Sequence, residues 1–335
     1  MVRIASFAFL LLLALLVALT GGWATLMLGV SGPGSDTART ALAALTGLLT
    51  LGALTVLILN RWRGPVIGLW LLALAGALGW WHAMTPSNDR DWLPNVAKTP
   101  WATVEGDRVT LHNIRNFSYR TETDFTPGWY DKTYDLRQLE SIDIVASYWM
   151  GPDIAHVFVS FAFAGGDHLA MSIETRTEKG EGYSAVKGFF RQYELYYVVA
   201  DERDVIGLRT NFRRDPPEDV YVYRVKSNPE GRRAFFMEYI RQINTLKEQP
   251  EFYNSLTTNC TTNIWMNSRV NPARVPMSWK ILASGHVPEY MFENGRLDDH
   301  GLPFAEIQQR AHINARAQAA GIVPDFSQRI RKQDQ

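Results

Sequence analysis

Three apolar runs crowd the first 85 residues and limit what this chain can become: residues 4–19, 41–59 and 66–84. The second and third approach the roughly 20 residues needed to cross a bilayer as a helix. The first follows Arg3 and has the outline of a signal peptide, with a charged start and an apolar centre. No small-residue cleavage site follows it, and apolar character resumes through Trp23-Ala24-Thr25-Leu26-Met27-Leu28. It is therefore read as an uncleaved first span. Arg3 precedes that span, and Arg61 and Arg63 lie in the tight turn between the other two. The positive-inside rule assigns both places to the cytoplasm, with Arg39 opposing. Three crossings then put residue 86 onward outside the cytoplasm. The expectation is a three-pass protein of a bacterial inner membrane with its C-terminal part in the periplasm. Its divisions are a membrane domain over 1–85, a juxtamembrane linker over 86–104 and a folded domain over 105–335. Trp80, Trp81 and Trp92 suit the outer interface, where indole rings prefer to lie.

The remainder is mixed and aromatic-rich, and long enough to bury one substantial core. The charge of the whole chain gives no general basic field for nucleic acid, since 34 basic side chains balance 34 acidic ones. Alternation predicts strands over 108–114, with 116–120 as a continuation, and over 142–149. The clearest β signal is His156 to Phe163 followed by His168 to Glu174, two runs around a Gly165-Gly166-Asp167 turn that reads as a hairpin. On its second strand Leu169, Met171 and Ile173 share one face, and His168, Ser172 and Glu174 the other. Further strands are expected over 192–200, 205–209 and 220–225. A helix is expected over 229–248, where Phe235, Phe236, Tyr239, Ile240, Ile243 and Leu246 recur at helical spacing. The tail over 303–331 reads as a polar helix. The fold class is α+β, an antiparallel sheet with packed helices, preceded by three transmembrane helices.

Cys260 is the one cysteine in 335 residues. Thr258 and Asn259 before it are good helix caps, and Ile264, Trp265 and Met266 follow, so a helix is expected to begin here. That would place the sulfur beside unpaired N–H groups at the positive end of a helix dipole, which favours thiolate. The competing reading is a buried, inert small hydrophobe. An unpaired thiol in an oxidising compartment adds weight to a functional role.

A cysteine nucleophile needs a base in reach and a group that orients the base. Metal chemistry has little support: no His-Glu-x-x-His occurs and one cysteine excludes a zinc knuckle. No phosphate-cradling loop and no Gly-x-Ser-x-Gly elbow is present, and no cofactor is expected. His156 opens the strongest strand and is the candidate base, with Glu174 or His168 to orient it. Asn259 and the Cys260 N–H are candidates for an oxyanion site, although Asn259 equally fits simple capping. Ser172 and Arg191 complete the candidate substrate-binding or oxyanion set. The charge-dense stretch of Arg191, Tyr193, Glu194, Asp201, Glu202, Arg203 and Asp204 reads as a salt-bridged surface or loop anchor, ahead of substrate contact.

Four segments together resemble a bacterial envelope family: Ala155-His156-Val157-Phe158-Val159-Ser160-Phe161, Ser172-Ile173-Glu174-Thr175-Arg176, Phe190-Arg191-Gln192-Tyr193-Glu194-Leu195 and Phe252-Tyr253-Asn254-Ser255-Leu256-Thr257-Thr258-Asn259-Cys260-Thr261-Thr262. The family is named for the periplasmic domain of the lipoprotein N-acyltransferase Lnb, and the resemblance covers roughly residues 105–320. That family is similar to permuted papain-like proteins, in which a strand histidine precedes the helix cysteine. The lecithin-retinol acyltransferases share this order, with an Asn-Cys motif at the thiol. The resemblance implies Cys260 as nucleophile, His156 as base and acyl transfer through a thioester, on a membrane lipid or lipoprotein. Two other functions fit the same residues: a cysteine hydrolase or peptidase of the cell envelope, and a non-catalytic envelope-binding scaffold with a buried thiol.

Overall fold

A computed structural model describes residues 2–59, 62–272 and 274–332, with side chains from residue 8 onward. Arg61, assigned above to the turn between spans, lies outside these residues. The chain divides into two units, one of residues 1–87 with 184–193, the other of 88–183 with 194–335.

The first unit is built on three helices, α1 (Val2–Ser31), α2 (Asp36–Leu59) and α3 (Arg63–Ala83). All three are long and apolar enough to cross a membrane. They meet through small residues, as helices must where no water drives them together. At Gly21 an added Cβ would stand 2.3 Å from Thr50 Oγ1, so only glycine permits this approach of α1 to α2. Arg63 turns back to donate to the Val56 and Leu57 carbonyls at the end of α2, satisfying acceptors that a helix C-terminus leaves open. The 184–193 segment, with the short α4 (Ala185–Gly188), belongs to this unit. Phe190 packs among Ala24, Met27, Leu28 and Ala77, and its carbonyl accepts from the Ser31 hydroxyl.

The second unit is organised by one sheet. Its strands are β1 (Trp101–Glu105), β2 (Arg108–Arg115), β5 (Trp129–Asp135), β6 (Leu139–Tyr148), β7 (Ala155–Phe163), β8 (Asp167–Arg176), β9 (Glu194–Ala200) and β10 (Asp219–Arg224). A separate ribbon pairs β3 (Ser118–Tyr119) with β4 (Phe125–Thr126). The order is β1-β2-β9-β8-β7-β6-β10, with β5 also on β2. Neighbours run antiparallel except for β2 beside β9. The sheet is therefore mostly antiparallel, within a mixed α and β architecture.

Strand alternation sends Val157, Val159, Phe161 and Phe163 to one face of the sheet and His156, Phe158 and Ser160 to the other. The first face is covered by α6 (Pro229–Glu248). This helix starts at Asn228, whose side chain accepts from the Gly231 N–H, with Pro229 in its first turn. Its stripe of Phe236, Tyr239, Ile240, Ile243 and Leu246 is buried, and Phe236 and Tyr239 meet Phe161 edge to face. Burying each such side chain stabilises the unit by roughly 1.5–3 kcal/mol. The second face carries Phe158, Ala170, Tyr196 and Val198, packed against α5 (Glu202–Gly207) and the C-terminal Ile313, Phe326 and Ile330.

Three stretches differ from their sequence reading. Residues 205–209, expected as a strand, lie in α5 and the π-type turn Leu208–Phe212. A short apolar run cannot by itself tell a buried strand from a buried helical turn. The tail is not one helix but three short ones, Phe304–Ala311, Asn314–Ala320 and Phe326–Arg329, interrupted where Ile313 enters the core and where Gly321 takes a left-handed conformation. The 86–104 stretch, expected as a linker, is folded from residue 88. Arg176 donates to the carbonyls of Val96 and Ala97 and to Asn88, and its guanidinium stacks 4.4 Å from the Trp92 ring. Trp92 is therefore buried in this core and does not sit at a membrane interface.

Candidate active site

Cys260 is the first residue of α7 (Cys260–Asn267). Asn259 caps this helix in a reciprocal box: its side chain accepts from the Thr262 N–H at 2.9 Å, and the Thr262 hydroxyl accepts from the Asn259 N–H at 2.9 Å. The N–H groups of Cys260 and Thr261 donate to no protein acceptor among the described residues. The helix opens where the sheet parts. The β7–β8 ladder begins only at Val159 opposite Met171, so the first residues of β7 have no partner on β8. The Val157 N–H, freed from that ladder, hydrogen-bonds to the Cys260 sulfur. The thiol thus sits beside the stretch of β7 that has no β8 partner.

His156 lies on the face opposite Val157 and also hydrogen-bonds to Cys260. Its Nε2 is 2.6 Å from Ser172 Oγ and 3.1 Å from Glu174 Oε1, which leaves Nδ1 for the sulfur. Ser172 donates to Glu174 at 2.7 Å. Behind them Arg209 Nη2 donates to Glu174 at 3.2 Å, and its Nη1 to Glu218 at 3.2 Å. Glu218 also binds Arg213 and the Ser147 hydroxyl. The result is a connected file from thiol to imidazole to carboxylate to guanidinium.

The charges follow from this file. Burial works against charge on His156, but the Glu174 carboxylate and the bond to Cys260 overcome it and raise the ring to about 9. Burial also opposes ionisation of Glu174, yet His156, Arg209 and Ser172 hold it below the usual carboxylate range. Burial pushes the Cys260 thiol up, while the hydrogen bond and charge of His156 and the Val157 N–H bring it below an ordinary thiol. Both shifts run in the direction of a thiolate beside an imidazolium. Tyr253 and Tyr183 are raised first by burial and further by the Cys260 charge.

Residues 125–285 match the family model described as the Lnb N-terminal periplasmic domain. The chain carries an Lnb-type periplasmic domain. The matched stretch holds His156, Ser172, Glu174, Arg209 and Cys260. No curated protein and no solved structure matches the chain. Among the described residues, no group of three His, Cys, Asp or Glu could hold a metal ion.

Within the Lnb-type domain the structure brings together Cys260, His156, Glu174 and Ser172, from one helix and two strands. It does not bring His168 to them. His168 lies six residues before Glu174 along β8, about 20 Å away at strand rise, and its Nδ1 is 2.9 Å from the Gly166 carbonyl. Asn259 spends its amide on the cap and on the Ser255 carbonyl, the capping alternative of the sequence reading. Arg191 belongs to the membrane unit, where it donates to the Trp81 carbonyl and stacks on the Trp81 ring. The charge-dense stretch is salt-bridged as expected, but its carboxylates lie deeper than a surface. Glu194, Glu202 and Asp204 are buried in ion pairs with Arg90, Arg331 and Arg115. Arg209, Glu218, Tyr183 and Tyr253 went unseen in the sequence. Tyr253 alone had a local signal, since it lies in the segment that leads into Cys260.

Proposed function

We propose that this chain is a membrane-anchored periplasmic cysteine acyltransferase of the bacterial inner membrane, acting on the acyl chains of a lipid or lipoprotein. The reading rests on one observation above all: a lowered thiol at a helix start meets a raised imidazole that a buried carboxylate holds in place. The Cys260 thiolate would attack the ester carbonyl of a lipid, forming the C–S bond. The tetrahedral oxyanion would take the Cys260 N–H and a nearby tyrosine hydroxyl. As the C–O bond breaks, the His156 imidazolium would give its proton to the departing alkoxide. An amine would then attack the thioester; the C–N bond forms, the C–S bond breaks, and the amine proton passes to His156 as the thiolate returns. Glu174 would keep the ring oriented and favour its charged form throughout, as the third member of a triad does. Three apolar helices suit a substrate that also resides in a bilayer.

The test is transfer from a labelled phospholipid to an amine acceptor by the full chain in proteoliposomes, with intact mass read on the protein. An acyl adduct on Cys260 in wild type, absent with transfer in Cys260→Ala and His156→Ala, supports the reading. Undiminished transfer in Cys260→Ala ends it.

A further inference from the structure

A mostly apolar cavity of about 650 Å³ lies on the face of the sheet that His156 does not use, lined by neighbours of Cys260 and not by Cys260 itself. Two residues mark its thiol end. Val157, whose N–H holds the sulfur, and Thr261, which follows Cys260, both line it. From there its floor runs along the sheet through Val159 and Ile144 to Ile142. Because Ala146 pairs with Val157 and Ile142 lies four residues on, that floor is about 13 Å long at strand rise. Ile264 and Trp265, one turn into α7, form a wall. Lys226 and Arg274 stand exposed at the rim, where long stems cover hydrocarbon while the charged ends stay in water. Among the described residues, no carboxylate lines the cavity.

We propose that this cavity seats the acyl chain of the donor, with its carbonyl at Cys260 and its hydrocarbon lying along the β6–β7 floor. The proposal rests on the thioester reading above and gives it a substrate class: a single unbranched fatty acyl group of medium to long chain. The arrangement divides labour across the sheet. Proton chemistry stays on the His156 face and hydrocarbon on the α6–α7 face, where Val157 and Thr261, the neighbours of the sulfur, line the cavity. A cavity of this size and lining lies in the range of small-molecule sites. A hydrocarbon occupant needs no hydrogen bond from it.

The test is burst acylation of the full chain in phospholipid nanodiscs by nitrophenyl esters of butanoic and dodecanoic acid. Cys260→Ala supplies the background. In the burst the thiolate forms a C–S bond to the acyl carbon while the C–O bond breaks to release nitrophenolate. Each methylene received by the cavity favours the reaction by up to about fourfold. The dodecanoyl ester is therefore expected to acylate Cys260 at least about a hundredfold faster than the butanoyl ester. Ile264→Trp and Met291→Trp, which fill the cavity from two sides, should each cut that ratio by about tenfold or more. Ester partitioning into the bilayer cancels in this comparison. Melting curves identify a variant that fails to fold, and the other then decides. A butanoyl burst without a long-chain advantage, or an advantage that survives both variants, overturns the cavity assignment and leaves the nucleophile standing. No burst with either ester overturns the nucleophile and the cavity assignment together.

Discussion

Two carboxylates face the same strand, and only one of them leads to a titratable ring and a thiol. Glu202 takes a hydroxyl hydrogen bond from Ser160 on β7 at 2.6 Å and two bonds from Arg331. Glu174 takes a hydroxyl hydrogen bond from Ser172 on β8 at 2.7 Å and one from Arg209. Both are held below the usual carboxylate range despite burial, Glu202 at about 2. The difference is the third partner. Glu202 shares Arg331 with Asp143, so its network closes on a cation that does not lose its proton. Glu174 has His156, which titrates, and beyond His156 a thiol. A buried charge network becomes a candidate site when one member can move a proton and a nucleophile stands at its end. The same polar vocabulary, closed on arginine, fastens the C-terminus to the sheet.

The widest separation between the two networks is expected on removing the nucleophile. Cys260→Ala and His156→Ala should each lower acyl transfer by at least about a thousandfold with the fold retained. Circular dichroism alongside the transfer assay checks this. Next comes the closed network: Arg331→Ala leaves Glu202 buried without its cation, and Asp143 with Arg224 alone, and should cost about 3 kcal/mol or more of stability. It should leave the reactivity of Cys260 in the folded fraction unchanged, as thermal melts and thiol labelling would show. An equal loss of thiol reactivity would mean the two networks are one.

Glu174→Gln tests the open network more finely. It keeps the shape and removes the charge that raises His156, so transfer should fall about a hundredfold. Its pH dependence carries a sign. The ring holds its proton up to about 9 in the folded protein, against about 6.5 unfolded. Its stabilising contribution is therefore complete below the lower value and lost as pH climbs through the upper one. In Glu174→Gln the alkaline limb of activity should retreat from about 9 toward neutrality. The smallest effect belongs to Asn259→Ala, which removes the cap of α7 and should cost about 1 kcal/mol, read as a lower melting temperature.

Local signals exposed one half of this site and tertiary folding hid the other. Thr258-Asn259 before an apolar run placed the helix start, because capping is decided within four residues. The Gly165-Gly166-Asp167 turn set the hairpin, and period-two alternation put Ser172 and Glu174 on one face. His168 shared that face, but alternation gives the side of a strand and not the distance along it. Arg209 was hidden because an apolar stretch beside it, Val205-Ile206-Gly207-Leu208, looks like a strand and folds as helical turns. Its two carboxylates lie on separate strands, and nothing local announces that pairing. Arg331 and its partners at 143 and 202 are more remote still. Charge density was legible at 201–204, but burial was not, because burial depends on the C-terminal helices that cover it.

The most direct measurement is the alkylation rate of native Cys260 by iodoacetamide against pH, in wild type and in His156→Ala. The account predicts fast labelling from well below pH 9 in wild type and recovery of ordinary thiol behaviour once the imidazole is gone. A thiol that stays silent until the protein is denatured, or that labels identically with and without His156, would contradict it.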